Sequence, residues 1–140
     1  MRAPFPLFAG ASVVPEQTAL MRRAHALIRG DAEMRGRRLA LFETDAPLED
    51  VARYYAAAIG DPSGVHASVS WSTGDFAADE ASLAPILAKL DQPFTHGATG
   101  HYRSAEIAGA PGEPRVSLQR PYRDFARDRI VDRTLIVLSD

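Results

Sequence analysis

At 140 residues and a net charge of −2, the chain fits one domain, large enough to bury a core without disulfide or metal staples. A hydrophobic share of 46% and a charged share of 24% are ordinary for a soluble globular protein, and no apolar run approaches the roughly 20 residues that cross a bilayer. No clustered basic face calls for nucleic acid, and the absence of cysteine removes disulfides, thiol nucleophiles and thiolate metal sites together.

The 16 basic residues are 15 Arg and one Lys, and Ala occurs 24 times, a bias that fits a GC-rich coding sequence more simply than phosphate recognition. Residues 1–16 carry three prolines and little periodicity, so they read as an extended arm packed across the domain. The arm lacks an apolar stretch of signal-peptide length, so a cytoplasmic chain is expected, although a trimmed leader would leave the same N-terminus. Over 18–29, Leu20, Met21, Ala24, Leu27 and Ile28 follow helical spacing up to Gly30. Residues 31–38 read as a charged loop, with Arg35, Arg37 and Arg38 as a solvated basic turn.

The organising stretch is 39–59. Leu39, Ala40, Leu41 and Phe42 make an apolar run of strand length, closed by Glu43, Thr44 and Asp45. Asp45 as a cap and Pro47 in the first turn predict a helix starting within a residue of Ala46. Its expected buried stripe is Leu48, Val51, Ala52, Tyr55, Ala58 and Ile59, with Glu49 and Arg53 paired one turn apart. Gly60, followed by Asp61 and Pro62, is expected to end it in a left-handed cap.

Alternation then predicts a half-buried strand: Val65, Ala67, Val69 and Trp71 on one face, and His66, Ser68, Ser70 and Ser72 on the other, either exposed or lining a shallow polar surface. Thr73-Gly74-Asp75 reads as a turn, and 79–90 as a helix capped by Ser82 with Pro85 in its first turn. The segment 95–101 reads as a flexible glycine loop. Residues 101–108 and 115–120 are strand candidates around a turn-rich segment, with Val116 and Leu118 facing one way, Ser117 and Gln119 the other. Interleaved Arg and Asp from Arg127 to Arg133 read as a salt-bridged surface loop. Residues 134–138, apolar on both faces, read as a central strand pairing with the run at 39–42.

Chemical signals are sparse. His25, His66, His96 and His101 include no i, i+4 pair; His96, His101 and Glu106 are the nearest to a metal constellation, with surface roles the simpler reading. No Gly-x-Ser-x-Gly elbow occurs, and Glu49 and Asp50 sit on an exposed helix face. Tyr54, Tyr55 and Trp71 are explained by packing in or near the core.

Residues 41–55, Leu-Phe-Glu-Thr-Asp-Ala-Pro-Leu-Glu-Asp-Val-Ala-Arg-Tyr-Tyr, together with Arg133-Thr134-Leu135-Ile136-Val137, resemble a set of bacterial α+β domains without assigned activity, often exported. These join a strand ending in Thr-Asp to a helix with Val-x-x-Phe/Tyr-Tyr and a closing Thr-Leu-Ile strand. The resemblance implies a fold and no activity. The same stretch also resembles the strand-helix opening of the vicinal oxygen chelate family, which implies a metal-dependent enzyme. In place of that family's first-strand ligand stand Leu39, Ala40, Leu41 and Phe42, which cannot coordinate a metal.

The expectation is therefore a single α+β domain: an antiparallel or mixed sheet of about five strands with two to three helices, the central helix on one face. Its expected use is as a non-enzymatic binding or accessory module, with no cofactor, no metal and no catalytic residue assigned. A second copy or a protein partner docking on the serine face of 66–72 is the further possibility, and a metal-dependent chelate-type enzyme is the alternative.

Overall fold

A computed structural model of the chain describes residues 4–91 and 99–140. In chain order the elements are β1 (Ser12–Val13), α1 (Pro15–Arg29), α2 (Asp31–Met34), β2 (Leu39–Thr44), α3 (Leu48–Ala58) and β3 (Ser68–Asp75). They continue with α4 (Phe76–Lys89), β4 (His101–Ala108), β5 (Arg115–Arg120), β6 (Tyr122–Asp124), β7 (Arg129–Val131) and β8 (Thr134–Ser139). Among the described residues, β1-β2-β8-β5-β4-β3 form one open sheet in which every pairing is antiparallel, and β6 and β7 form a separate hairpin. The α+β class thus holds, with six strands in the main sheet where about five were expected.

The apolar run and the C-terminal strand do meet: Leu39 to Thr44 pairs in full with Ser139 to Thr134. Both strands are apolar on both faces because the sheet is covered on both faces there. On the first face, Ala105, Ile107, Val116, Leu118, Ile136 and Leu138 form one buried floor, and α3 lies on it. Side chains one position along each strand point to the opposite face. There Leu39, Leu41 and Leu135 join Val14 and Tyr122, with Met21 of α1 packed against them.

The helix α3 buries Leu48, Val51, Ala52, Tyr55, Ala56 and Ile59. Five of the six stripe residues follow the expected spacing, but Ala56 takes the place of Ala58, which is exposed. Asp45 does not cap this helix. Pro47 occupies the cap position, and the Thr44 hydroxyl accepts the Ala46 amide at 3.2 Å. Gly60 is not a left-handed cap either; it is glycine because a Cβ there would lie 2.5 Å from the Val65 carbonyl oxygen. Glu49 bonds Arg103 across to β4 rather than Arg53, which pairs with Asp50 at 3.4 Å.

The N-terminal arm packs as expected, with Phe5 and Phe8 against the α3 core. The Tyr55 hydroxyl donates to the Pro6 carbonyl at 3.0 Å and accepts the Phe8 amide at 3.2 Å. The arm ends sooner than its composition suggests, since α1 begins at Pro15, and Asp31–Met34 is a short helix rather than loop. Leu27 and Ile28, expected in the buried stripe of α1, are exposed.

Larger departures surround β3. It runs to Asp75, so Thr73, Gly74 and Asp75 are strand, and Gly74 leaves its face bare for the Tyr102 ring on β4. The strand covers only part of the alternating segment: Val65 precedes it and is exposed. Trp71 is 45% exposed because β3 is the last strand of the sheet. Asp75 then caps α4, accepting the Ala77 and Ala78 amides at 2.8 and 3.1 Å, so Ser82 is no cap and Pro85 lies inside the helix. Both Pro85 and Ala81, whose carbonyl would have received the missing bond, are exposed, so water can serve that carbonyl.

The interleaved segment from Arg127 to Arg133 is salt-bridged but not all loop, since Arg129–Val131 is the strand β7, and its first residues pair with a buried neighbouring stretch. Arg123 and Asp124 are buried, Arg123 paired with Asp128 and Asp124 with Arg127.

Burial pushes the hydroxyls of Tyr55 and Tyr102 up to about 12. Burial first, then the hydrogen bond to Glu43, raises that of Tyr122. A group whose folded pKa lies above its unfolded value stabilises below the unfolded value and loses that contribution as pH climbs to the folded one. For tyrosine this window opens near pH ~10. The urea midpoint is therefore expected to fall from pH ~10 toward ~12, less steeply in Tyr102→Phe; equal slopes in the two proteins would contradict the assignment.

Candidate functional site

The second face of the sheet changes chemistry from one edge to the other. Register lays three rows across it: Leu39, Ser139, Arg115, Ala108, Ser68; Leu41, Val137, Ser117, Glu106, Ser70; and Glu43, Leu135, Gln119, Ser104, Ser72. The rows are largely apolar on β2 and β8 and turn polar through β5, β4 and β3. The serine face expected over 66–72 is therefore one margin of a wider polar platform. Ser68, Ser70 and Ser72 are exposed, and the Ser72 and Ser104 hydroxyls lie 2.7 Å apart.

Two helices flank this platform. Met21 of α1 covers the apolar side, and α4 packs on α1 through Leu20, Leu87 and Leu90 while Phe76 meets the Tyr102 ring at 5.0 Å. A cleft remains between the helices and the strands. One cavity, of about 200 Å³, is walled by Met21, Phe76, Leu83, Tyr122, Phe125 and Leu135, with Gln17, Asp79, Glu80, Gln119 and Arg123 supplying polar atoms. A second, of about 430 Å³, is lined by Met21, His25 and Arg29 from α1 and by Glu106, Arg115, Ser117, Gln119, Leu135 and Val137 from the sheet, with Leu39 and Ser139 beyond. The two share Met21, Gln119 and Leu135.

Several polar groups in the cleft are already fixed. Buried Gln17 donates to the Arg123 carbonyl at 3.3 Å and accepts the Phe125 amide at 3.0 Å, tying β6 to α1. Tyr102 donates to Asp79 at 2.5 Å, and the Ser117 hydroxyl donates to Glu106. Burial, and then the neighbouring Arg29 charge, hold the His25 imidazole below its ordinary pKa of 6.5, so it is uncharged at neutral pH.

The histidines and carboxylates with chemical potential do not converge. His66 is exposed ahead of β3, and His96 lies outside the described residues, as does most of the glycine segment 95–101. His101 faces Asp75 at 3.3 Å on the exposed first face. Glu106, five residues along the same strand, points to the second face, so it cannot share a metal with His101. Among the described residues no group of three or more His, Cys, Asp or Glu is placed to hold a metal ion. Glu49 is held below the usual carboxylate range, first by its hydrogen bond from Arg103. It lines a shallow exposed hollow with Asp45, Arg120 and Asp132 at the start of α3.

The cleft has little signature in the sequence. Its one trace in the sequence is the outward set Ser117 and Gln119, recognisable as the other side of Val116 and Leu118. In comparisons with known proteins, no family model, no curated protein and no solved structure matches the chain.

Proposed function

We propose that the protein is a non-enzymatic binding module that takes up a small molecule in the cleft between α1, α4 and the polar half of the sheet. The observation that carries this reading is the pair of adjoining cavities, mainly apolar in one and mixed in the other, with convergent side chains from two helices and five strands. An apolar pocket with a few fixed polar groups is the usual form of a small-molecule site. The resemblance to bacterial α+β domains without assigned activity supports a scaffold role for the strand-helix unit at 39–59, which lies mostly outside the cleft. The chelate-enzyme alternative would need a donor set, and a thermal shift on adding a divalent metal would favour it.

The test is a fragment titration read by amide NMR shifts, with Gln119→Trp as the blocked variant. Gln119 stands where the cavities meet, and a sheet position accepts an aromatic side chain. Fragments are expected to move the amides of Met21, Gln119 and Leu135 in the parent, and to lose those shifts in a variant with an unchanged melting profile. Shifts confined to other surfaces, or undiminished in Gln119→Trp, would sink the reading.

A second reading rests on β3. It is an eight-residue edge strand with no partner on its outer side among the described residues, and it carries exposed Trp71 with the Arg103 guanidinium 4.9 Å from the ring. Such an edge can receive a further strand from a second copy or a protein partner. A scattering mass that stays monomeric at all concentrations would remove the second-copy form of it.

A further inference from the structure

We infer that the ligand of the cleft is an amphipathic organic anion, whose acidic group lies between Arg29 and Arg115 and whose apolar body runs toward Phe76 and Tyr122. The inference rests on the cleft being a binding site and adds the ligand's chemistry. Arg29 is the last residue of α1 and Arg115 the first of β5; they come from opposite walls, yet both line the larger cavity and a smaller adjoining one of about 100 Å³. Other arginines of this region are engaged: Arg38 with Asp140, Arg37 with Glu33 at 3.6 Å, and Arg22 with the Leu39 carbonyl at 2.6 Å. The guanidinium groups of Arg29 and Arg115 make no ion pair or hydrogen bond to the described residues.

Two like charges on opposite walls of one cavity repel, and a bound anion is what lowers that energy. Guanidinium groups suit it, because their forked N–H donors match a carboxylate or phosphate oxygen pair. His25, one turn before Arg29 on the helix wall, and Ser139, paired with Arg115 on the sheet wall, line the same cavities and can add hydrogen bonds. Of the carboxylates lining these two cavities, Asp140 in the one of about 100 Å³ is paired with Arg38, and Glu106 in the larger one is bonded by the Ser117 hydroxyl. Glu106 repels an acidic group placed over β4 and so favours the end next to Arg29. From there Met21, Val137 and Leu135 lead to the apolar walls of the smaller cavity. A ligand with a charged head and a hydrocarbon or aromatic body matches both ends.

Amide NMR titration of the full chain with octanoate, octyl phosphate and the neutral octanamide tests this, against Arg29→Ala and Arg115→Ala. Both arginines are exposed, so neither variant removes packing, and a melting curve checks that each folds. At least one of the two anions is expected to bind about tenfold or more tightly than octanamide, and whichever does so identifies the acidic group. Each variant is expected to weaken that anion by about tenfold, equivalent to ~1.4 kcal/mol, and to leave octanamide unchanged. Equal binding of anion and amide, or no loss in either variant, overturns the anion assignment while the cleft shifts keep the binding reading intact. Absence of any cleft shift with all three probes overturns both.

Discussion

Replacing Tyr55 by alanine is expected to cost about 3–5 kcal/mol of unfolding free energy, the range for truncating a large buried aromatic. Tyr55 is fully buried at the centre of α3, stacked edge-on against Tyr54 at 4.9 Å and set on the sheet floor with Val51 and Ile59. A methyl group left in that space makes a cavity bounded by helix and strand backbone, neither of which can close it. The hydroxyl has a separate task, since it ties the N-terminal arm to α3 through Pro6 and Phe8. Tyr55→Phe keeps the ring and removes only that tie, so about 1–3 kcal/mol is expected, toward the lower end because water can reach the half-buried groups. Urea unfolding of the two variants separates the contributions. Amide exchange at Phe8 should accelerate in Tyr55→Phe with little change at Val51. A cost below about 1 kcal/mol for Tyr55→Ala would contradict the packing described here.

The strand-helix unit at 39–59 could be read from sequence because its determinants are local. An apolar run of strand length, a proline ahead of the helix and three-and-four spacing of large side chains are visible without knowing what packs on them. The same holds for β4, β5 and β8. What could not be read depends on register between strands distant in sequence. Thr73-Gly74-Asp75 has the composition of a turn, yet Gly74 is a strand residue because Tyr102, 28 positions later, lays its ring across it. Trp71 has the character of a core residue but sits exposed on the edge strand, where Val69, two positions earlier on the same face, packs against the α3 core. Ser82 and Pro85 imitate a helix start, and two amides held by Asp75 place the true start about two turns earlier. The cleft is hidden for the same reason: Met21, Gln119 and Leu135 come from three separate elements, and only the sheet order and the helix laid across it bring them to one cleft. Arg29 and Arg115 read as ordinary members of an arginine-rich composition until the nearby Arg22, Arg37 and Arg38 are seen to be bonded while these two guanidinium groups have no partner among the described residues.

The second large effect is expected at Gly109, where alanine should cost about 3 kcal/mol or more, the upper end of what overpacking does. A Cβ at this position would stand 2.0 Å from the Ile59 carbonyl oxygen and 2.9 Å from its Cβ, inside van der Waals contact with backbone that cannot swing aside. The same carbonyl accepts the Ala110 amide at 3.1 Å, so any retreat of α3 breaks that bond and lifts fully buried Ile59 from its place. Nothing about the backbone angles of Gly109 demands glycine; the requirement is space alone. Gly112, three residues on, has the opposite requirement: its φ is +89°, and a Cβ there meets nothing within 4 Å. Gly112→Ala should therefore cost only the left-handed backbone penalty of about 1–2 kcal/mol. Urea midpoints distinguish the pair. Amide exchange locates the damage, accelerating at Ile59 and Ala110 in Gly109→Ala and remaining confined to the 110–114 turn in Gly112→Ala. Equal costs in the two variants would mean that the end of α3 can move away from the β4–β5 turn, and that the helix is held by its sheet-facing stripe alone.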